Sequence, residues 1–170
     1  MTNGIGESFD EVVLPHLAAA RRLARWLTRN DDDAEDAVQE ASLRAFRYFD
    51  TFAGGNGRAW FLRIVRNTCG GRRLSRPTDP FDEQQHSAGQ SEQDDPEALL
   101  LRTDAARTID RAIHRIADRH REMIVLRELD GLSYREMADV MGIPMGTVMS
   151  GLSRARQALR DAVDAQTKPR

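Results

Sequence analysis

The residues of this chain that could do chemistry are guanidinium groups, and they gather in stretches from which carboxylates are missing. Arg154, Arg156 and Arg160 fall in a run without an acid between Asp139 and Asp161. Residues 51–78 hold six arginines and, again, no acid. Arginine's planar fork donates paired hydrogen bonds to a phosphate or a guanine edge, and a surface without carboxylates does not repel a polyanion. That is binding chemistry. The catalytic alternatives have little support. The run GGNG lacks the Gly-Lys-Ser/Thr ending of a phosphate-cradling loop. His16, His86, His114 and His120 form no helical ligand pair at spacing three or four, and Cys69 has no cysteine partner. Asp31, Asp32 and Asp33 are adjacent rather than converging, which suits a helix start better than a metal. The chain therefore reads as a non-enzyme without metal or cofactor, and Cys69 as packing among apolar residues rather than a redox sensor.

The second acid-free run is positioned by a helical pair. Ser133 and Glu136 have the spacing of a capping box, so a helix starts near Tyr134 with Met137, Ala138 and Met141 as its apolar face. Gly142, with Pro144 two residues on, marks its stop. A new helix from about Met145 carries Val148, Leu152, Ala155 and Leu159 on one side. Its other side shows Met149, Ser150, Ser153, Arg154 and Gln157, flanked by Arg156 and Arg160. Two short helices, a Gly-containing turn and a polar, cationic outer face make a helix-turn-helix pattern, whose second helix would enter the major groove of DNA. An ordinary amphipathic hairpin with solvated arginines has the same local pattern.

The first acid-free run follows two helical segments. Over residues 8–29, Phe9, Val13, Leu17, Ala20, Ala24 and Leu27 recur on one side, and Pro15 interrupts the pattern by a kink or a new first turn. The stretch DDDAEDAVQEASLRAFRYFD has Ala37, Val38, Ala41, Ala45, Phe46 and Phe49 as a core face. After the Gly-rich loop comes RAWFLRIVRNT, with Arg63, Arg66, Asn67 and Arg73 on one side and Trp60, Phe61, Ile64 and Thr68 toward the core. Cations interleaved with aromatics beside a Gly/Asn loop suit an unstacked single strand. They equally suit a basic surface helix with a core tryptophan.

Residues 77–97 are rich in Pro, Gln, Ser and acid and predict a flexible, disordered acidic linker. Helical spacing resumes through Leu101, Ile109, Ile113 and Ile116, breaks near Asp118 to Arg121, and returns as REMIVLREL. The expected fold is all-α, with small helical domains at 1–76 and 98–170. The net charge of −2 over 170 residues conceals a division: +2 over residues 1–76, −7 over 77–100 and +3 over 101–170. Lys168 is the only lysine, which fits bidentate recognition but also codon usage in a GC-rich genome. No apolar run could span a bilayer, the start MTNGIGESFDE lacks the pattern of a signal peptide, and one cysteine suits a reducing compartment. A cytoplasmic location without membrane insertion is the expectation.

The blocks DAEDAVQEASLRAF, RAWFLRIVRNT and REMIVLRELDGLSYREMADVMGIPMGTVMSGLSRAR, in this order, closely resemble the extracytoplasmic-function sigma factors of bacterial RNA polymerase. The likeness covers nearly all the chain outside the linker. It implies a transcription initiation factor whose partners are core RNA polymerase, promoter DNA and an anti-sigma factor. Asp36, Gln39, Glu40, Arg44 and Arg47 would face the clamp helices of the polymerase's largest subunit. Asn56 would contact a flipped base of the minus-ten element, with Arg58, Arg63, Arg66, Asn67 and Arg73 holding the strand. Met149, Ser150, Ser153 and Arg154 would read the minus-thirty-five element, with Tyr134, Arg135, Thr147 and Arg156 near phosphates. The linker would run toward the RNA exit path.

Some positions depart from the family pattern. Gly151 and Met149 stand where relatives carry bases, which predicts weak or differently specified minus-thirty-five contact. Ala117 stands where a proline is common, and Pro144 replaces a polar cap. Rival readings are a free-standing helix-turn-helix regulator with a ligand-sensing or dimerising N-terminal half, and a sigma-like decoy for an anti-sigma factor. The sigma reading requires the cations of both lobes to be open on a common side rather than buried in intramolecular pairs.

Overall fold

The computed structural model describes residues 6–75 and 96–167, with the side chains of 72–75 and 96–103 outside the described set. Every regular element among the described residues is helical. Helix α1 (Phe9–Val13) starts at a capping box made by Ser8 and Glu11. A single tight turn over Leu14–His16 places Pro15 in its first turn, where a missing N–H costs nothing, and leads into α2 (Leu17–Thr28). Asn30 caps α3 (Asp31–Arg47), whose first turn holds the three aspartates. Helix α4 (Gly57–Ser75) follows the Gly-rich loop. A Cβ at Gly57 would lie 2.8 Å from Val12 Cγ1 and 3.2 Å from Val12 O, so glycine lets α1 approach the start of α4.

The C-terminal half comprises α5 (Pro96–Arg115), α6 (Asp118–Ile124) widened by a π turn over Val125–Leu129, α7 (Tyr134–Met141) and α8 (Met145–Thr167). The capping box at Ser133 and Glu136 is formed, and Gly142 ends α7 in the left-handed region at φ 65°. Helix α5 begins two residues before the expected domain start, and α6 begins at Asp118, inside the stretch expected as a break. The expected linker lies outside the described residues except for Pro96 and Glu97, which open α5, and Leu101 lies outside them as a side chain. Arg121, at the end of the expected break, is 1% exposed. Its guanidinium donates to the carbonyls of Ile113 (3.1 Å), His114 (3.0 Å) and Ile116 (3.1 Å), satisfying acceptors that the end of α5 leaves open.

Helices α2, α3 and α4 pack on one another, α8 packs on α5, α6 and α7, and α7 packs on α4. The buried residues of both halves form one contiguous apolar cluster. Phe61, Leu62 and Val65 of α4, Met137 and Val140 of α7 and Leu152 of α8 are among its fully buried members. One residue of the expected core face is not buried: Phe46 is 49% exposed, resting edge-on against Phe9. Cys69 is buried, as its packing role requires.

Candidate nucleic-acid interface

Helix α8 has the expected two faces. Val148, Leu152 and Ala155 are buried against the C-terminal core, while Met149, Ser150, Ser153 and Arg154 are exposed. Met145 joins them one turn earlier; it and Met149 are each 52% exposed. Their position on an exposed helix face makes apolar contact with a thymine methyl available beside the hydrogen-bonding groups. Thr147 is half-buried at the helix start and Arg135 is exposed on α7. Tyr134 lies under the Arg127 guanidinium, 5.0 Å from the ring centre. Arg156 differs from expectation: it pairs with Glu128 at 2.7 Å instead of standing open for a phosphate.

Gly151 has a different cause from the one its place in the family pattern suggests. A Cβ there would lie 2.5 Å from Met123 Cε and 2.7 Å from Met123 Sδ, so the position faces α6. The absent side chain lets the recognition helix lie close on Met123.

The α4 face is where the requirement of open cations fails. Phe61 and Thr68 are buried and Trp60 and Ile64 half-buried, as expected, and Arg63 and Asn67 are exposed. Asn56 caps α4 through its Oδ1, which accepts from the Ala59 N–H at 2.9 Å, while its Nδ2 donates to Glu136 at 2.7 Å. Arg58 donates to both oxygens of Glu136 at 3.0 Å. Arg66 pairs with Glu122. An Arg63 guanidinium nitrogen lies 3.7 Å from where a Cβ would stand at Gly142, beside the C-terminal end of α7. Arg58 and Arg66 thus lie partly covered against α7 and α6, while Arg63 and Asn67 stay exposed. Arg73 has a side chain outside the described residues.

Burial pushes the Glu136 carboxyl up, and hydrogen bonds from Asn56, Ser133 and Arg58 outweigh it, taking its pKa down to about 2. Asp130 goes the other way. Its burial raises the carboxyl against the opposing pull of Arg22 and Arg58, and its Oδ2 has no hydrogen-bond partner.

The third predicted set lies on α3. Asp36, Gln39, Arg44 and Arg47 are exposed and Glu40 is partly so, with Arg44 paired to Glu40. Leu43, on the same helix, is 67% exposed, and Phe46 and Tyr48 at the helix end are exposed as well. The signal for Leu43 in the sequence was its spacing from Gln39 and Arg47, four residues each way on one helical face. Arg22 of α2 and Arg29, the residue just past its end, also unanticipated, reach Asp130 and Asp118. Their partners are 108 and 89 residues away, beyond any local pattern.

Comparison with known proteins agrees with the helix-turn-helix and with the α2–α4 lobe. Residues 12–74 match the family described as Sigma-70 region 2, and residues 106–159 match Sigma-70, region 4. The chain is 37% identical over 141 residues to the ECF RNA polymerase sigma-E factor of Escherichia coli strain K12, covering 77% of this chain and 74% of that one. To the ECF RNA polymerase sigma factor SigE of Mycolicibacterium smegmatis it is 32% identical over 156 residues, 91% of this chain and 61% of the relative. Its fold is similar to the sigma factor RpoE in complex with the anti-sigma factor NepR from Bartonella quintana, with a TM-score of 0.75, 26% identity and coverage of 92% and 96%. CnrH in complex with the cytosolic domain of CnrY gives a TM-score of 0.66 at 27% identity, covering 94% and 89%. A match of the N-terminal lobe to region 2 leaves the free-standing regulator without its sensing half. Two sigma regions in order, joined to this degree of identity, establish that the chain belongs to the extracytoplasmic-function sigma factors of RNA polymerase.

Proposed function

We propose that this sigma factor docks on core polymerase through α3, captures the melted minus-ten strand on α4 and reads the minus-thirty-five duplex with α8. The observation that carries it is the division of α8, with Val148, Leu152 and Ala155 buried behind an exposed, acid-free face of Met149, Ser150, Ser153 and Arg154. Such a face can meet a major groove without desolvating a carboxylate against phosphate. Tyr134, Arg135 and Thr147 flank it as phosphate contacts, with Arg156 available only once it leaves Glu128.

On the N-terminal lobe, residues 1–76, Asn56 is the base contact and Arg58, Arg63, Arg66, Asn67 and Arg73 track the strand. Unstacking a base costs a few kcal/mol, which stacking and edge contacts offset. The α3 patch around Leu43, with Asp36, Gln39, Glu40, Arg44 and Arg47, is the polymerase contact. Anti-sigma control follows from the company the fold keeps: the two similar structures are a sigma factor held by an anti-sigma factor and CnrH held by CnrY.

Run-off transcription tests the reading. The chain added to core polymerase should yield transcripts from a cognate promoter that neither component yields alone. A chain that binds core but never supports a transcript from any promoter is a decoy, and the proposal fails. Arg154→Ala should lose about 1–3 kcal/mol of discrimination at one base pair of the minus-thirty-five element if its contact is bidentate; an unchanged promoter preference removes Arg154 from the reading set.

A further inference from the structure

The five methionines with described side chains divide by exposure. Met123, Met137 and Met141 are buried at 1%, 0% and 5%, whereas Met145 and Met149 are each 52% exposed. Both exposed thioethers lie in the first two turns of α8, four residues apart, which puts them on one face about 6 Å from each other along the axis. That outer side continues into Ser150, Ser153 and Arg154, all exposed. Cys69, the only thiol of the chain, is buried. The sulfur atoms that an oxidant can reach are therefore concentrated on the helix assigned above to the minus-thirty-five duplex. Resting on that reading, we propose that Met145 and Met149 form a reversible oxidation site: a peroxide converts them to sulfoxides, and the oxidised helix loses its grip on the minus-thirty-five element.

The step is an oxygen transfer. A thioether lone pair attacks one oxygen of a hydroperoxide, the O–O bond breaks as the S–O bond forms, and the second oxygen leaves with the proton as water or an alcohol. Sulfur gives up two electrons and the peroxide takes them. A dithiol reductase restores the thioether, releasing the oxygen as water and ending as a disulfide, with a separate enzyme for each sulfoxide epimer. The consequence for reading follows from polarity. A thioether can lie against a thymine methyl without giving up a hydrogen bond to water. A sulfoxide oxygen is a strong acceptor; seating it in the groove strips its water, and neither a methyl nor a phosphate supplies a donor in return. The fold does not depend on either side chain, because the inward face of α8 is Val148, Leu152 and Ala155.

The test treats the full chain with hydrogen peroxide, clears the peroxide with catalase, and only then adds untreated core polymerase, which spares the polymerase's own sulfur. Peptide mass spectrometry should find oxygen on Met145 and Met149 well before Met123, Met137 and Met141. Run-off transcription, from a promoter selected out of a randomised duplex pool by the untreated chain with core polymerase, should fall about tenfold, the effect of losing about one base-edge contact. Incubation with both epimer-specific reductases should restore it. Met145→Leu with Met149→Leu keeps apolar bulk without sulfur, and its output relative to its own untreated sample should not change. Met145→Gln with Met149→Gln carries a permanent amide in place of the sulfoxide and should show the loss without peroxide, at unchanged helical circular dichroism. Oxidation of the buried three as fast as the exposed two overturns the site, and so does full output from the oxidised chain or from the glutamine variant. A leucine variant that peroxide disables equally also overturns it. If Arg154→Ala shifts promoter preference while the oxidised chain keeps full output, the oxidation site alone falls; an unshifted preference strikes the reading of α8 and the proposal with it.

Discussion

Gly151 is where the recognition helix can be tested by adding one carbon. A Cβ would lie 2.5 Å from Met123 Cε and 2.7 Å from its Sδ, and Met123 is 1% exposed. Two effects oppose each other in Gly151→Ala. Alanine is favoured over glycine in a helix interior by about 1 kcal/mol. Overpacking a filled core costs about 1–3 kcal/mol. Ordinary carbon contacts lie near 3.5–4.0 Å, so the Met123 terminus must retreat by about 1 Å. A thioether rotates readily, which puts the cost in the lower half of that range. The expected net is a destabilisation of up to about 1 kcal/mol.

Met123→Ala decides between this account and a simpler one. Alone it should cost about 2–5 kcal/mol, as for other buried methionines. In its background Gly151→Ala meets no obstacle and should stabilise by about 1 kcal/mol. The two changes therefore couple by about 1–2 kcal/mol, readable from urea unfolding of the four proteins followed by helical circular dichroism. Additive effects would refute the reasoning. Met123 would then not fill the space at Gly151, and an added base would gain phosphate contact without repacking.

Other positions give independent checks. Arg121→Ala strips three carbonyls at the end of α5 of their donor and should cost about 3–5 kcal/mol in thermal or denaturant unfolding; a loss below about 1 kcal/mol would mean that water replaces the guanidinium. Leu43→Asp should weaken binding to core polymerase by at least about 1 kcal/mol in a direct binding assay while leaving stability within about 0.5 kcal/mol, and an unaltered affinity would move the docking face elsewhere. Glu136 has a folded pKa of about 2, below its ordinary 4.5, so its contribution to stability is complete above about pH 4.5 and is lost as pH falls toward 2. The stability difference between the native chain and Glu136→Gln should follow that curve; a difference that is flat across this window contradicts it.

What could be read from the sequence was what local spacing encodes. The Ser133–Glu136 box, the stop at Gly142, the interruption at Pro15 and the buried stripe of α8 each depend on residues within one or two turns of one another, and each formed as expected. Phe46 failed because a helical face says which residues are neighbours, not where the neighbouring core ends. Arg121 stood only at the end of a break in the helical spacing, and nothing local marks its burial, since its acceptors are carbonyls, which every residue has. Gly151 looked like a lost contact because its meaning lies in Met123, on another helix. The closure of α4 was beyond reach for the same reason: Arg58 and Glu136 are 78 residues apart, and a charge count gives no pairing.

Glu136 shows how one residue serves both levels. As the third residue of α7 it accepts from the Ser133 N–H at 2.7 Å and fixes where the first helix of the helix-turn-helix begins. With the other side of the same carboxylate it holds Asn56 and Arg58. The first task needs only an acceptor that reaches backward, which glutamine supplies; the second needs negative charge, because two donors, one of them a guanidinium, converge on it. The carboxylate that starts the first helix of the helix-turn-helix therefore also ties α7 to the loop and first turn of α4.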